Sequence, residues 1–213
     1  MTDPNRITDS AHIAWPDLLV VREFLDPVTC REILAEMNTA ESAAATVYGR
    51  GAGGMVDQGV RQTLRIRPSV ATVQLVVDRL LAFKPSAEKH FDVSLSECED
   101  PQFLRYREGD FFVAHQDGNT GLLRLDTESR RVSTVIFLSR ETDSLPPGEI
   151  DSPEPDAYCG GSLVFTDIRP GSSEPKFHFV GEPGTLIAFR AETTHEVTPV
   201  THGERYSIVS WFR

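Results

Sequence analysis

The run Phe111-Phe-Val-Ala-His115-Gln-Asp117 ends an apolar stretch with an imidazole and a carboxylate two residues apart. On an extended strand, residues i and i+2 project from the same face, so both side chains can reach one ion. The pair alone is weak, because six histidines and fifteen aspartates in 213 residues give about 0.4 such pairs by chance. His195, just beyond the strand-like run Thr185-Leu-Ile-Ala-Phe-Arg190, offers a third donor that a neighbouring strand could bring in. Taken by itself, His195 reads better as a polar residue at a strand start, hydrogen-bonded to the backbone. Two imidazoles and one carboxylate on one face of an iron leave three adjacent positions open, enough for a bidentate 2-oxo acid and dioxygen. Zinc prefers a closed tetrahedral set or a single open position.

A second element is Arg205-Tyr-Ser207, ten residues after His195. Arg205 opens the run Tyr-Ser-Ile-Val-Ser-Trp-Phe, which is apolar on both faces, and a buried arginine there needs an anionic partner. A hairpin turning around Thr201-His-Gly-Glu204, with Pro199 opposite Arg205, puts His195 and Arg205 roughly 13 Å apart at about 3.3 Å per strand residue. That gap suits a five-carbon diacid, chelated at one end and paired with the forked guanidinium at the other. Ser207, same-facing with Arg205, could add a hydrogen bond.

The elements that must position these groups fall into two halves. Leu18–Phe24 reads as a short strand, and Asp26-Pro27 is a helix start, with Asp as N-cap and Pro at the first helical position. The spacing of Ile33, Leu34 and Met37 predicts a helix over 27–39, and Val70, Val73, Val77, Leu80 and Leu81 predict a second over 68–83. Between them the glycine-rich stretch 49–59 is expected to be a loop and a candidate lid, with Arg50 and Asp57 as possible substrate contacts; a plain linker is the alternative. From Gln102 onward, short β-rich runs at 102–107, 111–115, 132–139, 161–166, 176–180, 185–190, 196–200 and 205–212 are separated by turn residues. This predicts a mainly β, α+β fold with a sandwich or jelly-roll core behind two N-terminal helices, in one domain over 1–213. The acidic, proline-rich stretch 140–160 is expected to be a surface loop.

A net charge of −11 gives a field that repels phosphate backbones and anionic membranes, so nucleic-acid and membrane partners are disfavoured. Arg61, Arg65 and Arg67 form the one basic cluster, read as a solvated strand face, with binding of an acidic co-substrate or peptide as the alternative. Three cysteines without CxxC spacing suggest neither a disulfide framework nor structural zinc, and the N-terminal residues lack a signal-peptide pattern. A cytoplasmic protein is the expectation. His12, His90, His178 and His202 lack partners at ligand spacing, and Trp15 and Trp211 read as packing groups.

Several segments together resemble the 2-oxoglutarate/Fe(II) dioxygenases of the prolyl hydroxylase branch. They are Leu104-Arg-Tyr106-x8-His115-x-Asp117, Arg131-Val-Ser-Thr134-Val-Ile-Phe-Leu-Ser, Gly160-Gly161-Ser-Leu-Val-Phe165, Gly184-Thr-Leu-Ile-Ala-Phe189, His195-x3-Pro199-Val200 and Gly203-x-Arg205. They stand in family order over residues 102–213. The resemblance implies a double-stranded β-helix with Fe(II) held by His115, Asp117 and His195, and 2-oxoglutarate anchored by Arg205. It also implies that Tyr106 donates to the distal carboxylate, with Thr134 beside that pocket; a half-buried strand aromatic is the other reading of Tyr106. Arginine at 205, where many collagen-type enzymes carry lysine, leans toward the oxygen-sensing type and its bacterial relatives. Asp117 keeps the carboxylate that related halogenases lack, which favours hydroxylation. The implied activity is hydroxylation of an unactivated C–H bond, on a prolyl residue of a protein or peptide. A free amino acid or small metabolite is the alternative substrate, and a non-catalytic metal-binding β-sandwich the alternative class. Dioxygen is the second co-substrate, ascorbate a candidate accessory reductant, and oligomeric state stays open.

Overall fold

The structure, a computed structural model, describes residues 14–15, 18–45, 57, 59–118, 130–142, 157–166 and 176–213. The first half carries β1 (Ala14–Trp15), β2 (Leu18–Val21), α1 (Pro27–Thr39), β3 (Ser42–Ala44), β4 (Arg61–Gln62), β5 (Leu64–Ile66) and α2 (Val70–Phe91). Strands β6 (Gln102–Tyr106), β7 (Phe111–His115), β8 (Val132–Phe137), β9 (Arg140–Glu141) and β10 (Ala157–Gly160) follow. The chain ends with β11 (Leu163–Thr166), β12 (Lys176–Phe179), β13 (Leu186–Arg190), β14 (His195–Val197), β15 (Val200–Gly203) and β16 (Arg205–Phe212). Among the described residues no helix is long and apolar enough to cross a membrane.

Eight strands form a major sheet in the order β1-β2-β13-β8-β16-β6-β5-β3, five form a minor sheet β12-β11-β14-β7-β4, and three form a small sheet β15-β10-β9. The predicted jelly-roll architecture is what this sheet order builds. Alternation along each central strand sends one set of side chains to the helices and the other toward the minor sheet. Val132, Ile136, Ile208 and Phe212 pack with Ile33, Met37, Leu80 and Phe91 of the helices. Val135, Phe137, Leu104 and Tyr106 meet Leu163, Phe165, Phe177 and Val197 of the minor sheet. Each fully buried aliphatic or aromatic side chain here contributes roughly 1.5–3 kcal/mol by leaving water.

Helix α1 starts and ends where its sequence predicts. Asp26 caps it, accepting hydrogen bonds from the Val28 and Thr29 N–H groups at 2.9 and 3.0 Å. Helix α2 runs eight residues past the predicted end at Phe83, through Pro85. The proline lies on the exposed side, while Phe83, Ala87 and Phe91 continue a buried stripe at four-residue spacing, and that burial outweighs the one lost helical bond.

Two expectations about connections are corrected. The segment from His195 to Arg205 is not a hairpin: β14 belongs to the minor sheet, β15 pairs with β10, and β16 enters the centre of the major sheet between β8 and β6. Gly203, at φ +75°, makes the transfer, because a Cβ there would meet the Ala157 carbonyl oxygen at 2.6 Å. The stretch 140–160 is not wholly loop either, since β9 and β10 occupy its two ends; its middle, 143–156, lies outside the described residues. So does most of the candidate lid, including Arg50. Asp57 is described, and its carboxylate accepts from the Gly59 N–H at 3.0 Å, closing a turn ahead of β4.

Candidate active site

His115 and His195 stand directly opposite each other on the adjacent antiparallel strands β7 and β14, their ring centroids 4.2 Å apart. Asp117 follows two residues beyond His115, where its N–H and that of Gly118 both donate to the Ala191 carbonyl at 2.9 Å. The carboxylate thereby turns toward both imidazoles: Oδ1 lies 3.5 Å from His115 Nε2, and Oδ2 lies 3.5 Å from His195 Nε2. One ligand atom from each of the three residues falls within 4.8 Å of the others.

The tautomers follow from what the other ring nitrogens do. Nδ1 of His115 is 2.9 Å from the Val113 carbonyl, and Nδ1 of His195 is 2.9 Å from the Thr193 carbonyl. A carbonyl only accepts, so each Nδ1 carries a proton and each ring turns its Nε2 inward. Burial, then repulsion from His115, pushes the His195 pKa down to about 4 against the pull of Asp117, so the ring is neutral at pH 7. Burial alone would raise the Asp117 pKa. Electrostatic contact with His195, then contact with His115, and a hydrogen bond from Trp211 hold it well below the usual carboxylate range. Lone pairs of two imidazoles and a carboxylate converging at these distances repel one another unless a cation lies among them, which is the donor set and geometry that fits Fe(II).

The triad opens on a cavity of about 240 Å³ whose walls come from both sheets. Arg205 lines it from β16 and is only 1% exposed. Its Nη1 donates to Ser207 Oγ at 2.8 Å, while its buried Nε has no hydrogen-bond partner among the described residues. Tyr106, opposite Arg205 in the ladder, presents its ring 5.1 Å from the guanidinium carbon. The apolar side chains Leu104, Val135, Leu163 and Val197 line the same cavity. A cavity lined by a cation, a chelating set and apolar side chains suits a diacid whose middle is methylene groups. Gly161, at φ +61°, lets β10 pass close by, since a Cβ there would meet Val200 Cγ2 at 2.8 Å and Arg205 Cδ at 3.2 Å.

The sequence-predicted residues thus distribute unevenly. His115, Asp117, His195, Arg205, Tyr106 and Ser207 all line the one cavity. Thr134 touches the cavity wall, but its hydroxyl donates to the Ser210 carbonyl at 2.9 Å. Its neighbour Ser133 instead donates to Asp117 Oδ2 at 2.8 Å, a contact sequence reasoning missed. Trp211, read as a packing group, lies in the wall beside Asp117. The Arg130 guanidinium carbon sits 3.7 Å from the Trp211 ring centroid, and Arg130 is itself held bidentately by Glu99 at 2.7 and 2.6 Å. Extending the period of two from Arg205 and Ser207 would have placed Trp211 on this face. Tyr158 was also missed, inside the expected loop: it is fully buried, its ring flanks Gly161 beside Arg205, and burial raises its phenol pKa against the pull of the Arg205 charge. Arg61 is 7% exposed rather than solvated, whereas Arg65 and Arg67 are exposed as expected; Arg61 and Arg65 both line the cavity. His90, His178 and His202 lie away from the triad on partly or fully exposed positions, whereas His12 lies outside the described residues.

Comparison with known proteins agrees with this geometry. Over 187 residues, 86% of this chain and 71% of the other, the sequence is 30% identical to a PKHD-type hydroxylase of Burkholderia cenocepacia. Over 190 residues, again 86% and 71%, it is 28% identical to a PKHD-type hydroxylase of Burkholderia lata. The fold matches a Pseudomonas putida prolyl-4-hydroxylase with a TM-score of 0.66 at 21% identity, over 92% of both chains. It also matches a Trichoplax adhaerens prolyl hydroxylase, solved with a hypoxia inducible factor oxygen degradation domain peptide fragment. There the TM-score is 0.67 at 13% identity, over 92% of this chain and 83% of that one. Residues 101–213 match the family described as the 2OG-Fe(II) oxygenase superfamily, and they carry the His115, Asp117 and His195 cluster, so the chain belongs to that family and is a 2-oxoglutarate-dependent dioxygenase using Fe(II).

Proposed function

We propose that this enzyme hydroxylates an unactivated C–H bond of a prolyl residue in a protein or peptide. The observation that carries the reading is a single cavity lined both by the His-Asp-His cluster and by a buried arginine whose Nε has no hydrogen-bond partner among the described residues. The names of the Burkholderia relatives and the peptide held by the Trichoplax structure support the substrate class.

In this reading His115, Asp117 and His195 hold Fe(II), and Arg205 pairs with the distal carboxylate of 2-oxoglutarate, with Ser207 fixing the guanidinium and Tyr106 closing the wall. Bound iron supplies oxidative decarboxylation of the 2-oxo acid by dioxygen, giving succinate and carbon dioxide and inserting one oxygen atom into the substrate C–H bond. The chain's own part is orientation and exclusion of water. The two Nδ1–H bonds fix the imidazoles, Ser133 and Trp211 fix Asp117, and Leu104, Val135, Leu163 and Val197 keep the cavity dry.

The test is to load the protein with Fe(II) and 2-oxoglutarate without oxygen, admit oxygen, and measure succinate together with prolyl products one oxygen heavier. Succinate should form with the wild type and vanish in His115→Ala and Asp117→Ala. Succinate surviving in both variants, or product on free amino acids alone, would overturn the iron ligands or the peptide substrate respectively.

A further inference from the structure

The cavity has a second cationic side that the co-substrate does not use. Strand β4 runs antiparallel to β7 with Arg61 opposite Phe112. The Arg61 guanidinium carbon stands 4.8 Å from the Phe112 ring centroid, and that ring stacks on His115 at 3.6 Å and 18°. Arg61 is therefore one aromatic layer away from a triad imidazole. On β5, Arg65 stands in the same ladder row as Leu104 and Ser207, and its side chain makes no hydrogen bond or ion pair among the described residues. Both arginines line the cavity, as do Val60 and Phe112.

Two guanidinium groups on one wall run against a chain of net charge −11, whose average field repels anions. An anionic substrate needs local cations to overcome that field, and a guanidinium offers a carboxylate two parallel donors. In the reading above Arg205 pairs with the distal carboxylate of the co-substrate, and Arg61 and Arg65 are further cations in the lining of the same cavity.

We propose that Arg61 and Arg65 form a carboxylate-recognising wall, so that the primary substrate carries a carboxylate within a few bonds of the carbon that is hydroxylated. In a peptide this is an aspartate or glutamate next to the target proline; in a free amino acid it is the α-carboxylate. The inference rests on the hydroxylase reading above and adds the charge of the substrate to it.

The experiment compares matched probes. Blocked tetrapeptides Ac-Ala-Pro-Asp-Ala-NH2 and Ac-Ala-Asp-Pro-Ala-NH2 are set against their asparagine counterparts, and L-proline against L-prolinamide, with the product heavier by one oxygen read by mass spectrometry. The wild type should prefer an acid over its amide by at least about tenfold in kcat/KM, and Arg65→Gln and the milder Arg61→Lys should each cut that preference to about threefold or less. Anaerobic 2-oxoglutarate affinity reports whether each variant remains folded, and the peptide and amino-acid arms identify which carboxylate is read. Amide probes turned over as fast as acids, no acidic probe turned over at all, or a preference unchanged in both variants overturns the wall. A wild type that binds no 2-oxoglutarate and forms no succinate sinks the hydroxylase reading along with it.

Discussion

Asp117 shares its Oδ2 between Ser133 Oγ at 2.8 Å and the approach of His195 Nε2 at 3.5 Å. A donor on that oxygen fixes which face of the carboxylate meets a metal, and losing such an outer contact costs about 10–100-fold in metal affinity. Ser133→Ala is therefore expected to weaken Co(II) binding about tenfold, the low end of that range because Trp211 and the backbone at Ala191 also hold Asp117. Thr134→Ala is the control, since its hydroxyl serves the Ser210 carbonyl, and Co(II) affinity should not move. An anaerobic titration followed by cobalt absorption decides it, and equal affinities in wild type and Ser133→Ala would assign Asp117's orientation to its other contacts. These neighbours also mark the limit of legibility at this scale. His115, Asp117, His195 and Arg205 could be found because their types are costly to bury without a purpose. Ser133 could not be told from Thr134, because β8 is buried at all six positions and shows no alternation from which to read a face.

Among the elements, α1 and α2 are coupled by one carboxylate. Glu36 on α1 accepts from the Ser69 N–H and the Thr72 hydroxyl, groups that start α2, while Ser69 Oγ caps the same helix through the Thr72 N–H at 3.3 Å. Burial pushes the Glu36 pKa up, but the bonds from Thr72 and Ser69 outweigh it and hold the group below its ordinary value of 4.5. A lowered folded pKa means the stabilisation is fully present above the unfolded value and is lost as pH falls through the folded one. Glu36→Gln should thus be less stable than wild type at pH 7 by about 1 kcal/mol, a figure reduced for solvent exposure. The gap should shrink as the pH drops below 4.5, as followed by urea unfolding in the far-ultraviolet. A gap that stays constant to pH 3 would show that the ionised carboxylate is not what joins the helices. The start of α1 was legible because Asp-Pro is a local signal, whereas the extension of α2 past Pro85 was not, because the packing that rewards it is contributed by the distant strands of the major sheet.

At the scale of the whole molecule, function depends on two sheets converging at one mouth. The sheet-forming runs were legible as apolar strands between turns, but their assignment to sheets was not, because β10 lies at the end of a stretch rich in proline and acid and β15 falls on the turn of the expected hairpin. The resulting topology has a thermodynamic consequence. His115 and His195 belong to the minor sheet, Asp117 is tied to Ser133 and Ala191 on the side of the major sheet, and Arg205 stands in the major sheet's centre. A metal held by the triad would therefore bridge the sheets, and a diacid reaching from that metal to Arg205 would bridge them again. A ligand that binds only the folded state at a hundred times its Kd adds about 2.7 kcal/mol, or roughly 5–10 °C in Tm for a chain of this size. Co(II) should raise Tm by that amount and 2-oxoglutarate should add a second increment, whereas 2-oxoglutarate in EDTA should give less than half of its increment, having Arg205 but no chelating end. Asp117→Ala should abolish the metal-dependent rise. An identical 2-oxoglutarate shift with and without metal, by differential scanning calorimetry, would mean the diacid does not reach from Arg205 to the triad, and the cavity would have to be assigned to another ligand.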